Sequence, residues 1–185
     1  MSEKIIELLK EVVDDTQLKK LTEIGYFKAP ASSKYHLSCE GGLALHSYNV
    51  TNVMIKLNED MNLGLDRKEI ILAGMFHDLC KVAYYKPNIL KSGLQSEAQP
   101  YSYSRLFDLG HGAESIYLLN NDLDIKVPIY VAEAIYWHMG FDYSKDNGTI
   151  ETLKKQPIDI LFVWLLQTSD LYATWIIERE VENGQ

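Results

Sequence analysis

The stretch DRKEIILAGMFHDLCK, Asp66 to Lys81, decides the reading of this chain. Asp66 followed by Glu69 is a capping pair, with Asp standing where Ser or Thr is commoner, and it predicts a helix running through Ile70, Ala73, His77 and Lys81. Ala73 and Gly74 are small and lie one turn before His77 and Asp78, so another helix or a ligand can approach closely there. The stretch thus sets an imidazole and a carboxylate side by side on a helix built for close packing.

Working outward, helical periodicity dominates. Upstream, Ile5, Leu8, Leu9, Val12, Val13 and Leu21 recur at helix spacing and predict an N-terminal helix within residues 1–25, with Gly25 as its stop. A loop from Tyr26 to Glu40 leads into a helix from about Gly41 to Met61, on which Leu43, His46, Val50, Val53 and Leu57 form one stripe. Downstream, residues 85–109 contain Pro87, Gly93 and Pro100 among polar residues and read as a long lid loop over a site. Further helices are predicted for Gly110 to Asn120, Pro128 to Met139 and Pro157 to about Glu178. With no convincing alternating pattern, these readings give an all-α, single-domain helical bundle over residues 1–185.

Composition narrows the functional classes. A hydrophobic fraction of 46% beside 24% charged residues is that of a globular chain. The net charge of −8 argues against an extended nucleic-acid surface, which needs Lys and Arg to neutralise phosphates, yet allows a short phosphate ligand whose charge a metal offsets. The two cysteines, Cys39 and Cys80, form no zinc-type pair, so any metal chemistry must use histidine and carboxylate. No signal-peptide pattern and no run near the roughly 20 apolar residues of a membrane span is visible, and the expected compartment is cytoplasmic, with no membrane partner.

Each histidine taken alone reads more readily as a hydrogen-bonded core residue than as a metal ligand. The set reads differently. His46 lies on the stripe of Leu43, Val50 and Val53, and Asp170 shares its face with Val163, Leu166, Ala173 and Ile177, where an unpaired carboxylate is costly to bury. His111 opens one predicted helix and His138 lies near the end of another. With His77 and Asp78, the inward polar groups are all suited to a divalent cation.

On these residues the sequence resembles the HD-domain superfamily of metal-dependent phosphohydrolases: His46, then His77-Asp78 in GMFHDLCK, then Asp170 in TSDLYAT, over roughly Ala29 to Thr174. APASSKYHLSCEGGLALHS, Ala29 to Ser47, is similar to the approach segment of HD domains related to bacterial 3′-to-5′ exoribonucleases, where an aromatic-histidine pair precedes a GGL-x-x-H-[ST] helix. GHG around His111 and WHMG around His138 sit where two-metal members carry extra histidines. The resemblance implies a binuclear site in which His46, His77, Asp78 and Asp170 hold one metal, Asp78 bridges, and His111 with His138 completes the second. Three departures stand out: Cys80 occupies a common glycine position, no GYP follows His138, and the OB-type module of the exoribonuclease branch is missing from this sequence.

The expected activity is hydrolysis of a phosphate ester of a nucleotide or short oligonucleotide by metal-activated hydroxide, with one or two divalent ions drawn from Fe, Mn, Ni, Co, Zn or Mg. Asp78 and Lys81 are the expected catalytic residues. Lys81, one turn beyond His77 and Asp78, is placed to neutralise a phosphoryl oxygen, while His36 and Arg105 are candidate substrate contacts and Tyr101 and Tyr103 candidate base-stacking residues. The competing readings are a single-strand nuclease and a metal-cage binding module without turnover.

Overall fold

The computed structural model describes residues 3–105, 109–140, 151–153, 155 and 157–179. Its main helices are α1 (Glu3–Lys10), α2 (Asp15–Glu23), α3 (Gly42–Asp60), α4 (Arg67–Phe76), α5 (His111–Asn121), α6 (Ile129–Trp137) and α7 (Pro157–Tyr172). A 3₁₀ turn, Leu79–Ala83, follows α4, and a two-stranded ribbon joins β1 (Tyr85–Pro87) to β2 (Tyr101–Tyr103).

Apolar spacing predicts one N-terminal helix, and the structure has two. The break has a local cause: Asp14 accepts the Gln17 amide at 2.8 Å while the Gln17 side chain accepts the Asp14 amide at 3.0 Å, a complete capping box that starts α2 afresh. The apolar stripe survives, since Ile5, Leu8, Leu9 and Leu21 are all buried.

Helix α4 starts where expected, with Asp66 accepting the Lys68 and Glu69 amides at 2.8 and 3.2 Å. Glu69 does not close the box; its carboxylate accepts the Tyr130 hydroxyl and fastens α4 to α6. The α-helix also ends at Phe76 instead of continuing to Lys81. The Gly74 carbonyl accepts His77 Nδ1–H at 2.8 Å, Asp78 leaves helical geometry at φ −108°, and the chain tightens into the 3₁₀ turn.

Gly74 explains how closely α3 and α4 pack. A Cβ there would lie 2.4 Å from Thr51 Oγ1 and 2.9 Å from Thr51 Cα, so the helices touch backbone to backbone. Around this contact α3 packs on α4 and α7, α6 packs on α7, and α5 packs on α6. Phe76, Phe162, Leu43, Met54, Ile70, Ile71, Ile135 and Leu166 fill the centre. Each such side chain contributes roughly 1.5 to 3 kcal/mol on leaving water.

The segment expected to be an irregular lid contains β1 and β2, paired antiparallel from Tyr85↔Tyr103 to Pro87↔Tyr101. These strands are too short, and proline too near, for an alternating pattern to reveal them. Residues 106–108 of the expected lid lie outside the described residues.

The segment Pro157–Ile177 is long and apolar enough to cross a membrane by length and composition, which the sequence reading did not anticipate. It packs along α3 and α6 and carries Asp170 to a buried polar cluster, and 33% of its apolar window is buried. Beyond α7 it passes into a π turn, Ala173–Ile177, closed by the Glu178 amide donating to the Ala173 carbonyl. That one-residue slip changes which side chains point inward.

Candidate metal centre

Helix α3 supplies His46, the end of α4 supplies His77 and Asp78, α5 begins with His111, His138 caps α6, and α7 carries Asp170. The structure brings the six expected residues together, with four imidazoles facing Asp78 and Asp170 facing His46. Its Oδ2 lies 3.3 Å from His77 Nε2 and 3.7 Å from His46 Nε2, while Oδ1 lies 3.4 Å from His138 Nε2 and 3.8 Å from His111 Nδ1. Each oxygen therefore faces its own pair of imidazoles. Asp170 Oδ1 approaches His46 Nε2 at 3.2 Å from the other side.

The outer nitrogens settle which ring atoms face inward. His77 Nδ1 donates to the Gly74 carbonyl, His138 Nδ1 to the Ile135 carbonyl at 2.6 Å, and His46 Nδ1 to Glu178 Oε1 at 2.9 Å. Carbonyl and carboxylate oxygens only accept, so Nδ1 carries the proton and Nε2 turns a lone pair toward the cluster. His46 Nε2, His77 Nε2, His138 Nε2 and Asp78 Oδ1 are buried and have no hydrogen-bond partner among the described residues. Buried acceptors left this way are costly, and a divalent cation satisfies them together. Two groups, His46-His77-Asp170 and His77-Asp78-His138, each converge closely enough that they could hold an ion. By donor chemistry, imidazole nitrogen with carboxylate oxygen, they fit a transition-metal dication.

Charge reinforces the geometry. Burial pushes the Asp78 carboxyl up, but the Lys81 ammonium and the neighbouring imidazoles outweigh it and hold the group well below the usual carboxylate range. Lys81 Nζ is 2.5 Å from Asp78 Oδ2, brought inward by the 3₁₀ turn, and its side chain is 11% exposed. Burial likewise pushes His46 down, yet the Asp170 and Glu178 carboxylates raise it to about 9. A positive charge belongs at this spot, as a proton or as a metal.

His36 sits at the rim, with its ring centroid 5.1 Å from that of His46 and Nε2 3.9 Å from Glu178 Oε2. Burial, then the His46 charge, lowers it to about 4, so it is neutral at pH 7. Its position comes from the loop before α3: a Cβ at Gly42 would lie 2.0 Å from the Leu37 carbonyl oxygen, and only glycine lets the loop fold over the helix start. Arg105 is not brought to the cluster. Its guanidinium binds Glu114 Oε1 through Nη2 at 2.8 Å and Nε at 3.3 Å and lies over the Tyr84 ring, so it ties the chain to the first turn of α5. Tyr103 packs against Tyr84 and Tyr85, and Tyr84 in turn packs on the His111 ring with centroids 4.8 Å apart. Cys80 is buried with Sγ 3.5 Å from His111 Nδ1, and burial pushes its thiol up to about 12.

Glu178 went unread in the sequence. A continuous α-helix would carry Ile177 onto the inner stripe with Ala173; the π turn instead leaves Ile177 half-buried and turns Glu178 inward at 1% exposure. The carboxylate accepts from both His46 and Asn49. The one available signal was an acid at the end of an apolar stripe.

Residues 43–161 match the model of the HD domain. The chain belongs to the HD-domain family. The match takes in His46, His77, Asp78, His111 and His138 and stops before Asp170. The chain is also 26% identical, over 151 residues, to a dihydroneopterin 2′,3′-cyclic phosphate phosphodiesterase of Methanocaldococcus jannaschii, with 70% of this chain and 57% of that relative covered. The chain thus spans just over half the length of that protein, which is a cyclic phosphodiesterase and not an exoribonuclease. No solved structure matches.

Proposed function

We propose that this HD-domain protein is a cytoplasmic, metal-dependent phosphohydrolase that opens or removes a phosphate ester on a small nucleotide-like molecule. The observation that carries the reading is the division of Asp78, one oxygen toward His46 and His77 and the other toward His111 and His138, with unpartnered imidazole nitrogens between. The M. jannaschii relative's cyclic phosphate substrate favours a phosphodiester of the same small class, a pteridine or nucleoside carrying a cyclic phosphate. The likeness of the approach segment to the exoribonuclease branch is then a likeness of the path into α3, shared without the substrate.

In this reading His46, His77, Asp78 and Asp170 hold one divalent ion, and Asp78, His111 and His138 a second. When bound, the ions supply Lewis acidity, lowering the pKa of a coordinated water toward about 7 and neutralising phosphoryl charge. The chain's own work is positioning: the Nδ1 bonds hold three imidazoles with Nε2 inward, and burial excludes bulk water. Lys81 supplies a fixed positive charge beside Asp78 for a phosphoryl oxygen, and His36, neutral at the rim, makes a hydrogen bond to the leaving group.

The test is an ester panel with manganese, nickel, cobalt or iron(II). Turnover lost in the His77→Ala plus Asp78→Ala double variant is expected, and turnover retained there would reject the site. Ligand binding without turnover under every metal would favour the metal-cage module instead.

A further inference from the structure

Beside the cluster lies a pocket of about 560 Å³ lined by Lys34, Tyr35, His36, Thr174, Trp175 and Arg179. Its size falls within the range that encloses a small organic ligand. It shares a wall with the cluster: His36 stacks toward His46, and Thr174 Oγ1 lies 3.4 Å from Asp170 Oδ1. A molecule whose phosphate reaches the cluster has space here for its remaining atoms.

The lining has a definite chemistry. Trp175 is 51% exposed and Tyr35 68% exposed, large aromatic surfaces left open to solvent. Arg179 lies 4.0 Å over the Trp175 ring, and Lys34 lies 5.1 Å over that of Tyr35, so each aromatic surface carries its own cation. In a chain of net charge −8, two cations and two rings gathered at one pocket favour a flat, acceptor-rich ring over an alkyl chain or a second cation.

The π turn creates the arrangement. Glu178 turns inward to His46 while its neighbours Trp175 and Arg179 face the pocket, so the slip that completes the metal cluster also builds the adjoining wall. π turns of this kind recur at functional sites.

We infer that this pocket, through Trp175 of the π turn and Arg179 just beyond it with Lys34 and Tyr35 of the facing loop, binds the planar nitrogen heterocycle of the substrate and sets the enzyme's preference for heterocycle-bearing esters. The inference rests on the phosphohydrolase reading above and adds the part of the substrate that reading leaves open. The ring stacks on the indole–guanidinium pair, and its carbonyl or ring-nitrogen acceptors meet the Lys34 and Arg179 donors.

The experiment compares adenosine 2′,3′-cyclic phosphate with glycerol 1,2-cyclic phosphate, which carries the same ester without a heterocycle, in the metal-loaded protein. Trp175→Ala lowers the ratio of kcat/KM between the two by about 5-fold to about 150-fold, mainly through KM, as expected for one base–aromatic stack. Trp175→Phe recovers most of the preference. An unchanged ratio in both Trp175→Ala and Arg179→Ala, with turnover retained, overturns the pocket assignment and leaves the phosphohydrolase reading standing. If no ester is turned over with any metal, that reading fails, and calorimetric titration with adenosine alone decides the pocket. Saturable binding weakened in Trp175→Ala upholds it, and absence of binding to the unaltered protein overturns it.

Discussion

Changing Glu178 to glutamine isolates the contact that His46 makes through Nδ1. Glu178 is 1% exposed and accepts from His46 Nδ1 at 2.9 Å and Asn49 Nδ2 at 3.1 Å. Glutamine keeps the shape and an acceptor oxygen but loses the charge. A hydrogen bond to a charged group is stronger than a neutral one by about 1 kcal/mol, so two such bonds lose about 2 kcal/mol. Loss of a carboxylate behind a ligating imidazole weakens metal binding by about 10- to 100-fold, about 1.4 to 2.7 kcal/mol, which agrees with that sum. Competition of the protein with a fluorescent chelator for zinc or manganese measures the shift. Glu178→Ala should do more, because the buried His46 donor is left unsatisfied at about 1 to 3 kcal/mol and the half-buried Asn49 loses its partner too, and its melting temperature in metal-free buffer should fall as well. Metal affinity unchanged in a folded Glu178→Gln protein would refute the reasoning, since His46 would then hold its orientation without the carboxylate.

The other expectations follow from packing and linkage. Gly74→Ala forces Thr51 and α3 outward; overpacking of about 1 to 3 kcal/mol exceeds the roughly 1 kcal/mol gained in helix propensity, so thermal melting should show a lower Tm together with weaker metal binding. Asp66→Ala removes the N-cap of α4 and should cost about 1 kcal/mol in urea denaturation, with little change in metal stoichiometry. Stripping metal with a chelator removes about 4.1 kcal/mol when the ion was held at about 1,000 times its Kd, a fall in Tm of roughly 8 to 16 °C; no change by calorimetry would count against a site filled in the folded state.

Much of this was legible because burial imposes a period on sequence. Leu43, His46 and Val50 of the expected α3 stripe are buried while Val53 and Leu57 are half-buried, so the first turns of the stripe located the ligand as well as the helix. Asp66 marked the start of α4 because capping acts within one turn. The misreadings share a cause, in that a local bond altered the helical count. The Asp14–Gln17 box, itself a readable signal, restarted the first helix without disturbing its apolar stripe. His77 binding the Gly74 carbonyl ended α4 with neither glycine nor proline to announce it, and the π turn moved Glu178 to the face that periodicity gives to Ile177. Arg105 illustrates another limit: its partner Glu114 lies nine residues on, where sequence spacing says little about which carboxylate a guanidinium meets.

The bond between His46 and Glu178 joins residues 132 positions apart. During synthesis on the ribosome α3 and α4 can meet early, because the loop between them is short, whereas the contact to Glu178 must wait until nearly all of this sequence has emerged. Until that last turn docks, His46 lacks its brace and Asp170 has not arrived, so a nascent chain cannot yet retain an ion tightly. A cation held by this cluster would in this way gain its final brace only after α3 and α4 have met.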